Sequence, residues 1–199
     1  MGIFSTGRKA QVDMAQQTDD FLLKAIGDGD MKAFEEIHQR YFTKLMRFAI
    51  RIAESQEAAE EVANDTLMTV WRTADRFEGR SKPSTWMFGI AYRMAMKARQ
   101  KAAKRKGDVE LDEGMVGTDA DGADKVILRT DLTRALKRLT PDLRAVVELT
   151  YINGYIYTEI AEILECPVGT VKTRMMTARR RLRDMLDDSD TIGVENTCG

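Results

Sequence analysis

A chain of 199 residues, 43% apolar and 32% charged with three prolines, fits one large or two small domains of a soluble, mainly helical protein. No apolar run approaches the ~20 residues of a membrane span, and the opening MGIFSTGRKAQVDMAQQ has no apolar secretory core, so a cytoplasmic protein without membrane insertion is expected. The formal net charge of −1 hides segregation: residues 93–106 hold seven basic side chains and no acid, 107–124 hold seven acids, and 54–65 hold five acids and no base, a pattern that predicts basic faces for nucleic acid and acidic faces for protein.

After a lead-in over 1–17, Thr18 is suited to cap a short helix, Asp20 to Ile26, which Gly27-Asp28-Gly29 ends. Asp30 opens a long amphipathic helix whose stripe is Phe34, Ile37, Tyr41, Leu45, Phe48 and Ile52. It carries the sole histidine, His38, a surface or packing residue because no acid–base or metal partner accompanies it. The next helix, ESQEAAEEVANDTLMTVWRTADRF, has a mixed stripe. Ala58, Val62, Leu67, Val70 and Trp71 are expected to be buried, and acids crowd its first turns, where the helix dipole favours them. A polar loop, Phe77 to Thr85, leads into TWMFGIAYRMAMKARQKAAKRK, aromatic at its start and basic at its end. Rings beside cations form a platform for single-stranded nucleic acid, and the competing reading is aromatic packing in a small bundle.

Residues 107–123, GDVELDEGMVGTDADGA, lack periodicity and are taken as a flexible acidic linker between domains spanning 18–106 and 124–186. Helical pattern resumes at Asp124, Thr140-Pro141 starts another helix, and Asn153-Gly154 turns the chain. YTEIAEILECPVGTVKTRMMTARRRLRDML then reads as two helices about a corner broken by Pro167. The second helix has Val168, Val171, Met175, Ala178, Leu182 and Met185 on one side and Lys172, Thr173, Arg174, Met176, Arg179, Arg180 and Arg183 on the other. An αα-hairpin with solvated arginines would share this pattern. Six bases and no acid from Thr170 to Arg183 favour a DNA-binding helix-turn-helix. Beside Pro167, Cys166 fits a small buried hydrophobe, and the tail from Asp187 is polar and expected to fray.

Together these residues resemble the extracytoplasmic-function sigma factors, the smallest class of bacterial RNA polymerase specificity subunits. The carriers are AEEVANDTLMTVWR with FEGRSKPSTWMFGIAYR, which resemble regions 2.2 to 2.4, and LTPDLRAVVELTYINGYIYTEIAEILECPVGTVKTRMMTARRRLR, which resembles region 4. The resemblance implies an all-α protein of two small helical domains, the second a helix-turn-helix. It implies that Lys172, Thr173, Arg174 and Met176 read the −35 element, with Arg179 and Arg180 on phosphates. A flipped −10 base falls to Thr73, Phe77, Ile90 and Arg93, with Trp86 beside them, and Glu61, Asn64 and Asp65 grip the β′ clamp helices. The partners implied are core RNA polymerase, through those helices and the β flap, promoter DNA and a cognate anti-sigma factor.

Three positions depart from the family's usual residues: Arg93 for Asn, Glu165 for Gly at the corner, and Asn64 for Gln. A non-glycine residue at a positive φ costs about 1 kcal/mol. Neither a metal-ligand cluster nor a phosphate-cradling glycine loop nor a nucleophile–base pair is visible, so no enzyme, cofactor or metal is expected. The competing function is a stand-alone helix-turn-helix regulator, which would need a dimer surface but neither the acidic helix nor the aromatic loop.

Overall fold

A computed structural model describes residues 14–107 and 132–192, and among them every regular element is helical. The first unit comprises α1 (Asp19–Gly27), α2 (Met31–Ala53), α3 (Gln56–Thr73) and α4 (Pro83–Gly107). Local chemistry starts these helices. Thr18 Oγ1 accepts from the Phe21 N–H at 3.3 Å, Asp30 Oδ1 from Lys32 and Ala33, and Ser55 Oγ from Ala58. Such caps contribute about 1 kcal/mol each. From α2, Ile37, Tyr41, Leu45, Phe48 and Ile52 are buried as their spacing predicts, and α3 and α4 pack against them.

On α3 the expected face is rotated. Ala59, Val62, Ala63, Thr66, Leu67 and Val70 are the buried set, whereas Ala58 and Trp71 are only half-buried. Thr66 tolerates full burial because its hydroxyl donates to the Val62 carbonyl at 2.7 Å, which removes the polar penalty that made the stripe look mixed.

The second unit comprises α5 (132–138), α6 (Pro141–Val147), one π-helical turn (Glu148–Ile152), α7 (Tyr157–Ile163) and α8 (Val168–Ile192). Thr140 is the N-cap residue of α6 with Pro141 behind it, although its side chain makes no capping bond. Gly154 turns the chain at φ 72°. Nearly all of the acidic linker, 107–123, lies outside the described residues, as does the helical start expected at 124–131; Gly107 closes α4. Of the tail expected to fray from Asp187, the part within the described residues continues α8 to Ile192, and 193–199 lie outside them.

The two units share one core. Phe88 of α4 packs on Phe48 of α2 and, edge-on, on Tyr155 of the second unit, each at 5.3 Å between ring centroids. Glu148, 5% exposed, lies in this contact with Oε1 3.3 Å from Arg51 Nε. Burial raises its pKa, and the charges of Arg51 and Arg144 only partly oppose that. The folded chain therefore holds this proton more tightly than the unfolded chain. The resulting stability is complete below the ordinary value of 4.5 and is lost as pH rises through the raised one. Glu148→Gln is expected to stabilise the protein at neutral pH and to flatten its acid-to-neutral stability profile, measured by thermal unfolding from pH 4 to 8.

Candidate nucleic-acid interface

The helix-turn-helix is built by α7 and α8 about Pro167. Ile160, Ile163, Val171, Met175 and Ala178 are buried and seat α8 against α7 and α6. Glu159 accepts from the Ile156 N–H at 3.0 Å at the start of α7. Burial works to raise the Glu159 pKa, but bonds from Lys82 and from that N–H outweigh it and hold the carboxylate low. At the corner Glu165 adopts φ 50°, the positive value that makes a glycine the easier residue there.

Along the outer face of α8, Lys172, Thr173, Met176, Arg179 and Arg180 are exposed, Met176 to 68%. Thr173 spends its hydroxyl proton on the Gly169 carbonyl at 3.0 Å and keeps its lone pairs outward. Arg179 donates through Nε and Nη2 to the Tyr151 hydroxyl at 3.0 and 2.7 Å, while its guanidinium lies 5.8 Å from that ring's centroid. Arg174 differs from its neighbours. Half-buried, it donates Nη2 to Asp142 Oδ2 at 2.8 Å and lies 3.8 Å from Cys166 Sγ, so it braces α8 against α6.

In the first unit Glu61, Asn64 and Asp65 stand exposed on one side of α3, and no ion pair engages the two acids among the described residues. On the loop–α4 side, Phe77 and Trp86 meet at 5.1 Å with a 41° tilt. Trp86, Ile90 and Arg93 follow at i, i+4 and i+7 and so share one face of α4. Thr73 is half-buried and donates its hydroxyl to the Thr69 carbonyl at 2.7 Å, leaving only lone pairs for a base. Ile90 is 5% exposed, so it is no open wall in this arrangement.

What closes over this face is the second unit. A Cβ built on Gly89 would lie 3.8 Å from the Ile163 carbonyl oxygen of α7. Arg93 is ion-paired with Glu165, so two of the residues that depart from the family pattern meet. Tyr92 donates to Asp142 Oδ1 at 2.7 Å, and burial followed by that carboxylate raises its pKa. Sequence reasoning missed Asp142, Glu159, Glu165 and Arg144 as cross-unit contacts. An acid at a corner that favours glycine was the one local hint.

A basic helix presented on a helix-turn-helix, beside an aromatic helix and an opposed acidic face, defines a DNA-binding protein of the transcription machinery. The family model for the ECF sigma factor matches residues 18–188, and the chain belongs to that family. It is 32% identical over 181 residues to the ECF RNA polymerase sigma factor SigW of Bacillus subtilis, covering 83% of this chain and 95% of SigW. Against the sigma-E factor of Escherichia coli the identity is 31% over 180 residues, covering 84% and 93%. Among solved structures, RpoE in complex with the anti-sigma factor NepR from Bartonella quintana superposes with a TM-score of 0.64 at 28% identity, covering 79% of this chain and 98% of RpoE. The protein is thus an alternative sigma factor that directs promoter-specific transcription initiation with core RNA polymerase. No helix among the described residues is long and apolar enough to cross a membrane.

Proposed function

We propose that the outer face of α8 reads the −35 element, the loop–α4 face captures the −10 strand, and the acidic face of α3 holds the β′ clamp helices. The observation that carries this reading is the division of α8. Val171, Met175 and Ala178 are buried while Lys172, Thr173, Met176, Arg179 and Arg180 are exposed, a geometry that offers donors and a methyl-binding side chain to a major groove. Lys172 and Thr173 sit nearest the helix start and contact base edges with Met176; Arg179 and Arg180 track phosphates. Arg174 contributes by fixing α8 or by rotating off Asp142 to a base.

On the −10 side Phe77, Trp86 and Ile90 supply walls, Thr73 an acceptor and Arg93 a donor. The protein has no catalytic chemistry of its own and acts in the cytoplasm as two domains, 18–106 and 124–186, that separate about the linker. An anti-sigma factor restrains it, a reading supported by the NepR-bound relative. A stand-alone regulator is disfavoured, because it would leave the exposed acids of α3 and the loop aromatics without a role.

Run-off transcription with purified core polymerase on a promoter library tests the whole. RNA from a defined subset of promoters is expected; no RNA with active core would overturn the reading. In binding assays, Lys172→Ala is expected to cost about 1–3 kcal/mol on the preferred −35 sequence and to relax base choice. Arg180→Ala should weaken all sequences alike and lower the salt slope. Equal effects of both substitutions on preferred and random DNA would reduce α8 to a phosphate binder.

A further inference from the structure

A cavity of about 830 Å³ opens between α2, the start of α4 and the turn that enters α7, and neither α3 nor α8 lines it. Its size lies within the roughly 300–1,000 Å³ of small-molecule sites. Four cations line it: Lys44, Arg47 and Arg51 of α2, and Lys82 just before α4. The first three stand at i, i+3 and i+7, so the helix sets them in one row about 10 Å long. Arg51 faces Glu148 at 3.3 Å and Lys82 faces Glu159 at 2.6 Å. The other two have no carboxylate. Lys44 Nζ lies 5.2 Å from the centroid of the Tyr41 ring, and no ion pair engages Arg47 among the described residues. Four cations against two acids leave the cavity positive, and burial, which raises the Glu148 pKa, weakens one of those acids as a repellent of anions.

The facing wall has another character. The turn at Gly154 brings two apolar side chains to the cavity: Ile152, 72% exposed, and the half-buried Tyr155, which packs edge-on against Phe88 at 5.3 Å. A ligand there meets charge on one side and a ring with an aliphatic chain on the other. A lone row of surface cations would be solvated, whereas a concave seam focuses their field. The guanidinium fork matches phosphate oxygens, and a row this long suits several phosphates in series. A base has the flat face that an aromatic wall accepts.

We propose that this cavity is a binding site for a nucleoside polyphosphate, its phosphates along Lys44, Arg47, Arg51 and Lys82 and its base against Tyr155 and Ile152. The site draws on both units, and it does not depend on the assignment of α8 to DNA or of α3 to polymerase.

Calorimetric titration of the full chain tests it, with ATP, GTP and inorganic tripolyphosphate as probes at about 0.15 M salt, where loose surface attraction is screened. ATP or GTP should bind saturably, one to one, and tripolyphosphate ~10-fold more weakly because it brings no base. Lys44→Gln with Arg47→Gln, both exposed and outside the core, should weaken the nucleotide at least ~10-fold and leave the circular dichroism unchanged. Lys101→Gln with Lys104→Gln, exposed cations of α4 outside the cavity, should not weaken it.

Absence of saturable binding by both nucleotides would overturn the proposal, as would equal losses in the two double variants, which would make the attraction ordinary surface charge. Tripolyphosphate binding as tightly as ATP and GTP would overturn it by removing the base from its wall. If Lys44→Gln with Arg47→Gln weakened only a random-sequence single strand of about 12 nucleotides and spared ATP and GTP, the row would belong to DNA and the proposal would fall.

Discussion

Charge reversal at Glu61 and Asp65 is expected to abolish binding to core RNA polymerase while leaving the helical fold in place. Both side chains are exposed on α3, with Asn64 between them, and their positions carry no packing: Val62, Ala63, Thr66 and Leu67 face the core instead. Among the described residues no ion pair engages either acid, so their removal breaks nothing within the chain. Exposed charges seldom contribute more than a few tenths of a kcal/mol to folding. At a protein interface the same charges set orientation and encounter, and a reversed sign opposite a basic partner costs several kcal/mol. Glu61→Lys with Asp65→Lys should therefore keep the parent's circular dichroism and melting temperature and fail to co-purify with core enzyme. Undiminished co-purification would move the docking surface elsewhere. Loss of helicity would mean that α3 depends on these charges, contrary to their exposure.

Arg144→Ala is expected to destabilise the fold by about 3–5 kcal/mol, the cost of leaving a buried charge partner and several carbonyls without a donor. Only 2% of this side chain is exposed, and all its donor atoms are used. Nε donates to the Leu136 carbonyl at 2.8 Å, and Nη2 donates to those of Lys137 and Leu139 at 2.6 and 2.9 Å. Nη1 reaches into the first unit, to the Arg51 carbonyl and to Glu54 Oε1, both at 2.6 Å. The guanidinium thus sits between the carboxyl ends of α5 and α2, where unpaired carbonyls and the negative ends of two helix dipoles converge. Glu54 is shared with Arg99 at 2.8 Å. Its burial works to raise its pKa, but the bonds and charges of the two arginines prevail and lower it. Arg144→Lys should recover only part of the loss, since an ammonium cannot reproduce a five-donor fork. Urea unfolding measures both, and a midpoint within error of the parent for Arg144→Ala would contradict this account.

Local rules made much of the fold legible. Thr18 and Asp30 declare helix starts by their side-chain oxygens, Gly154 and Pro167 declare turns, and the α2 and α8 stripes repeat at helical spacing because each helix has one dry side. The candidate DNA side chains of α8 were readable for the same reason, as the complement of a buried stripe. Arg144 was not readable, because an arginine beside Ala145-Val146-Val147 looks like a long stem with its head in water. Nor were the cross-unit pairs, whose partners stand far apart in the chain: 72 residues for Arg93 and Glu165, and 90 for Arg144 and Glu54. Periodicity reports which side of a helix is dry, not which other helix dries it. That is why Ile90 read as the wall of an open pocket and is instead covered.

The contact between the units is not equally firm along its length. Its pairs run from Lys82, just before α4, through Arg93 to Arg144 of α6, which reaches the Arg51 carbonyl and Glu54 of the first unit. At one end stands the encased Arg144; toward the other end Arg93 and Lys82 are 50% and 73% exposed. Water can therefore replace the pairs at the Lys82 end one at a time, whereas the Arg144 end gives way only as a whole. Salt is therefore expected to loosen the Lys82 edge before the Arg144 edge, because exposed pairs are screened and an encased one is not.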